Sequence, residues 1–378
     1  MDANMMLGKS TKDFGKRYRH GWQHFFAGRK KWILLIVLAT LIVLRVALPY
    51  IVKSYVNNTL AVIPGYPGYV DDVDLSLWRG AYVIHSLTIE KVEGNIPVPF
   101  FSARQIDLSI EWTALFHGSL VGEIELISPK INFVQGPTEK ESQNGKGANF
   151  IETIKKLSPL RINKFDVQNG EVHFRNFHTD PKVDIHLDSL FLYAKNLTNS
   201  EHLSKVLTAS IDAKGKAMHT GRLKGHLDID AYAQKPTFHL DLQLEQVELT
   251  TLNSFFDGYA SVDVKSGVFE MYTEMAAANG NFTGYVKPLF KDMRILDLKK
   301  DAKKPLKLLW EGVVEGLTQL LTNHSTGQLG TKILLSGTFD NPKEDILSTI
   351  GGILKNAFIK ALQPGIEGTV SLQKARTQ

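Results

Sequence analysis

The chain has 378 residues, 22% of them charged and 43% apolar, and no cysteine, which excludes a disulfide scaffold, a thiolate metal site, a cysteine nucleophile and wholesale disorder. Its formal charge of +5 is local, because residues 1–31 carry eight Lys or Arg against two acids and leave 36 basic and 37 acidic residues from Trp32 onward. A nucleic-acid binder spreads basic surface over its folded body to neutralise phosphates, so this neutral body argues against a nucleic-acid partner.

Residues 32–52 read WILLIVLATLIVLRVALPYIV, 21 residues whose only charge is Arg45. A helix of that length spans the ~30 Å hydrocarbon core of a bilayer. Arg29, Lys30 and Lys31 abut its start, whereas only Lys53 follows closely, so the positive-inside rule predicts a cytoplasmic basic tail at 1–31 and an exported body beyond residue 52. Trp32 and Tyr50 stand where interfacial aromatics belong. Arg45 lies about 20 Å in from Trp32, within snorkelling reach of the far headgroups. A cleaved signal peptide is the competing reading, and the 31-residue leader and the lack of an A-x-A site after Leu44 oppose it. Pro49 is expected to close or kink the helix, with a short helix continuing over 50–60.

Beyond the anchor the recurring signal has period two. Val73, Leu75 and Leu77 alternate with Asp72, Asp74 and Ser76, and Ile106, Leu108, Ile110 and Trp112 alternate with polar neighbours. The pattern returns at Ile124 and Leu126, at Val183, Ile185 and Leu187, at Leu227, Ile229 and Ala231, and at Phe238, Leu240, Leu242 and Leu244. Turns are expected at Gln168-Asn169-Gly170, Lys265-Ser266-Gly267 and Asn279-Gly280, giving about sixteen strands in an antiparallel meander. A helix is predicted over Phe150–Leu157, after a polar loop at 137–149 that forms the best domain boundary. Amphipathic helices are predicted near 305–321 and 345–362, packing against the sheet.

Catalytic and metal signatures fail on inspection. Gly8-Lys9-Ser10-Thr11 lacks the upstream glycine and strand of a phosphate loop. His173 with His178, and His219 with His226, lack a carboxylate or cysteine at metal-ligand spacing, and in a strand His173 and His178 would face opposite ways. Asp71, Asp72 and Asp74 lack the rest of a calcium loop, and no hydrolase or kinase motif is present. No enzyme, cofactor or metal is therefore expected. What remains is a long apolar sheet face that something must cover. Periodicity alone leans to a closed sandwich; the alternative is a curved sheet with an open apolar trough occupied by acyl chains.

One stretch speaks to that choice. Residues 75–133, with Trp112, Leu115, Gly118 and the strand ending at Phe133, resemble the N-terminal module of AsmA-like proteins of the Gram-negative envelope. Residues 161–176, 181–199, 266–290 and 337–368 are similar to the AsmA-related family of single-anchor periplasmic proteins. The resemblance implies a mainly β fold: an N-terminal transmembrane helix, then an elongated, curved antiparallel groove with a few capping helices. It implies an AsmA-N-like module at 53–140 and a groove domain at 150–378. It also implies a single-pass inner-membrane protein whose bulk is periplasmic, with phospholipid acyl chains as ligand and a role in lipid transfer or outer-membrane integrity.

The expected groove liners are Leu75, Leu77, Leu108, Ile110, Ile124, Leu126, Leu227, Ile229, Leu240, Leu242 and Leu244. Sixteen strands spaced ~4.8 Å apart span about 75 Å, less than the periplasm is expected to require, which implies an envelope protein partner, end-to-end self-association or a local task at the inner membrane. The rival reading is a non-enzymatic scaffold that assists envelope assembly.

Overall fold

In a computed structural model, the described residues are 14–76, 79–110, 112, 121–148, 150–157, 161–197, 209–230, 235–260, 262–298, 328–330 and 332–339. The predicted helices at 305–321 and 345–362, and residues Leu77 and Ala231, lie outside them. The chain divides into two units, Met1–Tyr55 and Val56–Gln378.

Helix α1 (Phe14–Ala61) carries the apolar stretch Trp32–Ala61, long and apolar enough to cross a membrane, and Trp32, Arg45 and Tyr50 are all exposed on it. Pro49 neither ends the helix nor prevents its continuation over the next twelve residues. It removes one N–H, and the carbonyl left without that bond belongs to Arg45, one turn earlier. Within the second unit the last turns of α1 are buried at Val56 and Leu60, and Asn57 is fixed by a reciprocal pair of bonds with the backbone of Val70.

The second unit is one large open, curved sheet. Its strands are β1 (Gly68–Tyr69), β2 (Asp72–Ser76), β3 (Ala81–Ile89), β4 (Phe101–Ile110), β5 (Val121–Val134), β6 (Arg161–Asn176) and β7 (Val183–Lys195). They continue as β8 (Ala209–Ala217), β9 (Gly221–Ile229), β10 (Phe238–Glu248), β11 (Val262–Ala278), β12 (Asn281–Leu298), β13 (Gln328–Gly330) and β14 (Ile333–Thr338). From β3 to β12 the spatial order is the chain order, a meander; β1 and β2 both pair with β3, and β13 and β14 both pair with β12. The closed sandwich favoured by periodicity is therefore corrected to a single layer.

A second correction concerns direction. β5 and β6 run parallel, so the chain must cross back between them. The crossover contains the polar loop at 137–149 and helix α2 (Phe150–Leu157), whose predicted bounds match those observed. Phe150 stacks on Phe100 at 5.3 Å, and Tyr66 closes the aromatic cluster while its hydroxyl accepts the backbone N–H groups of Asn144 and Gly145. The two expected modules thus share one continuous sheet.

A third correction concerns two of the expected turns. Gln168-Asn169-Gly170 lies inside β6 and Lys265-Ser266-Gly267 inside β11; only Asn279-Gly280 reverses the chain, between β11 and β12. Asn169 is left-handed, with φ of 54°, and the same conformation occurs at Ser128 and Ser189 in the two adjacent strands and at Ser86 in β3. A left-handed residue within a strand kinks it and shifts the side-chain alternation by one. Accordingly Phe165 and Val167 precede the kink in β6 and Val172 and Phe174 follow it, while Ile124 and Leu126 give way to Ile131 and Phe133 in β5. Ser128, Asn169 and Ser189 stand at neighbouring register positions, and Ser86 is separated from Ser128 by Arg104 of β4, so the crease runs from β3 to β7.

Helix α3 (Asn253–Ala260) follows a short 3-10 turn, Leu249–Leu252. Asn253 ties its start to β11 by accepting from the Val264 N–H and donating to the Val264 carbonyl. At its other end the Tyr259 hydroxyl donates to Gln135 and accepts from Asn176 at the end of β6. A flat sheet would hold β6 and β11 about 24 Å apart, five places at ~4.8 Å each, whereas eight helical residues extend only about 12 Å. One short helix reaches both because the sheet curls around it.

Candidate functional site

The register places the apolar residues in unbroken lines across the sheet. One line runs Leu75, Tyr82, Leu108, Ile124, Phe165 and Ala194 from β2 to β7. It continues as Ile211, Leu227, Leu240, Met275, Gly284 and Leu335 from β8 to β14. Directly opposed residues of paired strands share a face, so these twelve positions, each on its own strand, look the same way. The adjacent line is equally continuous: Val73, Ile84, Ile106, Leu126, Val167 and Leu192, then Ala213, Gly225, Leu242, Thr273, Val286 and Ile333.

The expected liners fall into this frame. Leu75, Leu108, Ile124, Leu227 and Leu240 stand in the first line, Leu126 and Leu242 in the second, and Ile110, Ile229 and Leu244 one step to either side. Leu108, Leu126 and Leu227 are buried and the other seven are half-buried. Trp112, read as the end of the same alternation, lies beyond β4 and is exposed, its indole N–H donating to the Arg79 carbonyl. Sequence reasoning missed Tyr82, Phe165, Ile211 and Met275; in β6 the false turn at 168–170 hid the alternation on either side.

Beyond the crease, the same face and α3 border a half-open cavity of about 360 Å³. Phe133, Val172, Phe174 and Leu187 form its floor, and Leu252, Phe255 and Phe256 its roof. Phe269 and Phe290, tilted against each other at 5.1 Å, close one side. That volume lies at the low end of the ~300–1,000 Å³ typical of small-molecule pockets. Its lining suits a hydrocarbon and offers little to a charged headgroup.

The opposite face is polar and laced across strands. Arg79 pairs with Asp107 at 2.9 Å, Lys164 with Glu123, Lys130 with Glu171 at 2.6 Å, and Lys291 with Glu270 at 2.8 Å. Tyr272 sits beside Glu270 and Glu245, and desolvation with those acceptors pushes its hydroxyl up to about 12. The densest group spans β5 to β9. Arg175 donates to Asp184 at 3.0 Å and to the buried Asn132 at 2.6 Å, while His173 sits between Asp184 and Glu171. Burial pushes the Asp184 carboxyl up, but hydrogen bonds from His173 and Arg175 outweigh it and hold the group below its ordinary value.

His186 stacks on His173 at 5.1 Å, and its outer side meets His219 from the β8–β9 turn. Burial lowers the His186 pKa. The fold therefore joins His173, His186 and His219, not the sequence pairs His173 with His178 or His219 with His226; His226 sits between Asp212 and Asp228 instead. No sequence signal linked these residues, because their contacts depend on register between β6, β7 and the β8–β9 turn.

Arg175→Ala would leave the Asn132 side-chain oxygen Oδ1 without the Arg175 donor and Asp184 with one partner fewer, so it is expected to cost about 2–4 kcal/mol. Arg175→Lys should restore only part of that, since a single ammonium cannot reproduce the two-pronged geometry. Urea midpoints of the purified chain measure both.

No protein-family model matches the chain, and no curated protein is detectably similar to it.

Proposed function

We propose that this chain is a membrane-anchored, non-enzymatic lipid-binding protein of the AsmA-like type, handling phospholipid between the inner and outer membranes of a bacterial envelope. The anchor holds the N-terminus in the cytoplasm, and the sheet stands in the periplasm. The observation that carries the reading is the unbroken apolar line from Leu75 to Leu335. Eleven steps of ~4.8 Å make it about 53 Å long, so acyl chains lie across the strands along it while headgroups stay in water. Each apolar Å² removed from water favours this by about 25 cal/mol. The carbon-lined cavity beneath α3 is the place along that face best formed to hold a chain end.

The test is photocrosslinking of the full chain in membranes with labelled phospholipid. A photoreactive amino acid in place of Leu240 should yield a lipid adduct; the same probe in place of Gln243, exposed on the opposite face of β10, should not. Equal labelling at both positions, or none at Leu240, removes the lipid reading. Protein adducts from the Gln243 probe instead would favour the scaffold.

A further inference from the structure

We propose that His186 and His219 form a binding site for a divalent transition-metal ion, with Zn²⁺ the best fit, whose ligands are the two Nε2 atoms and whose orienting carboxylate is Asp188. The two Nε2 atoms stand 3.3 Å apart. Two Zn–N bonds of ~2.05 Å meeting at the tetrahedral angle separate their nitrogens by about 3.3 Å, so the pair is already at ligand spacing.

The surroundings settle which nitrogen of His219 carries its ring proton. Asp188 Oδ2 lies 2.9 Å from His219 Nδ1 and also accepts the His219 backbone N–H at 3.1 Å. A carboxylate can only accept, so the ring proton of neutral His219 sits on Nδ1 and its Nε2 presents a lone pair toward His186. This is the carboxylate–histidine arrangement that fixes the tautomer of metal-ligating imidazoles. Ser189 holds the other oxygen of Asp188 at 3.0 Å.

His186 is clamped from its other side by the stacked His173 ring. Its Nδ1 is buried and, among the described residues, has no hydrogen-bond partner; Asp184 Oδ1 stands 3.9 Å away. With its proton on Nδ1, His186 turns a second lone pair toward that of His219, an unfavourable contact that a cation between them converts into two bonds. With the proton on Nε2, the pair makes one ordinary N–H···N bond and Nδ1 is left as a buried, unused acceptor. Asp188 Oδ2 stays on His219 Nδ1 as the orienting acceptor, and water completes the coordination set. A bound ion would pin the β8–β9 turn to β7, on the face opposite the apolar lines.

Zn²⁺ titration of the full chain in detergent against a chromophoric chelator, with Co²⁺ absorption as a report on geometry, decides the matter. The His219 side chain is 75% exposed on a turn, so His219→Ala should lower the metal-free thermal midpoint by only a few degrees, through the lost bond to Asp188. That variant is expected to lose one equivalent of Zn²⁺, or to weaken its binding at least about tenfold, the loss that removing even an outer-shell partner can cause. Asp188→Asn should weaken binding by a similar factor, and His226→Ala should not. Zn²⁺ should also raise the thermal midpoint of the unaltered chain and not that of His219→Ala. Uptake by His219→Ala equal to that of the unaltered chain, or no uptake by the unaltered chain at excess metal, overturns the proposal.

Discussion

Replacing Leu240 and Leu242 together by aspartate is expected to abolish phospholipid binding by the sheet while leaving its strands formed. Both residues are half-buried on the apolar face of β10, one in each of the two continuous lines. A carboxylate there either stays ionised against hydrocarbon, at several kcal/mol, or takes up a proton and still presents a polar group with no partner. Two such residues on one strand interrupt both lines at once, and lipid recovered by extraction and mass spectrometry should fall at least ~100-fold after correction for lipid around the anchor. Gln243→Asp adds a charge to the same strand on its wet side and should keep its lipid, and lipid around the anchor is common to both variants and cancels in their difference. Circular dichroism matching the unaltered chain keeps the comparison fair, and undiminished lipid in the double variant would end the proposal that acyl chains occupy this face.

Gly267→Ala should be among the most destabilising single-methyl additions in the sheet. Gly267 lies inside β11 with φ of 133°, a backbone that side chains rarely adopt. An added Cβ would sit 2.8 Å from Leu249 Cδ1 and 2.8 Å from the Met293 Cα on β12. Leu249 is fully buried in a cluster with Val247, Phe256, Phe269 and Phe290, so it cannot swing aside, and the other neighbour is backbone. Strain of about 1–3 kcal/mol and overpacking of about 1–3 kcal/mol act together, which predicts a loss of roughly 2–6 kcal/mol. By contrast, Gly225→Ala meets Leu242 Cδ1 at 3.3 Å, a flexible tip, and should cost far less. A urea midpoint for Gly267→Ala equal to that of Gly225→Ala would contradict this account.

The apolar face was legible in the sequence wherever a strand keeps its alternation for four or more residues, as at Phe238 to Leu244, and so was the helix Phe150–Leu157 with its polar approach. Pairing was not. Period two says which side of a strand is dry, but it does not distinguish two facing sheets from one curled sheet, nor reveal that β5 and β6 run in the same direction, because both depend on contacts between distant segments. The misread turns have a local cause: Asn-Gly and Ser-Gly accommodate left-handed backbone whether the chain reverses or merely kinks. The histidine cluster lay out of reach for the first reason, its three rings coming from two strands and a turn that only register unites.

The crease makes chain length itself a coded quantity. In an ordinary strand, losing one residue exchanges inside for outside over everything that follows. Here Asn169 has already introduced one such exchange, so a β6 lacking it would turn its distal arm inside out, sending Val172 and Phe174 to the wet side and His173 and Arg175 to the greasy one. A parity step so placed must be matched in the neighbouring strands, as Ser128 and Ser189 match it. Such strands can gain or lose residues at their ends or in concert, but not singly in the middle.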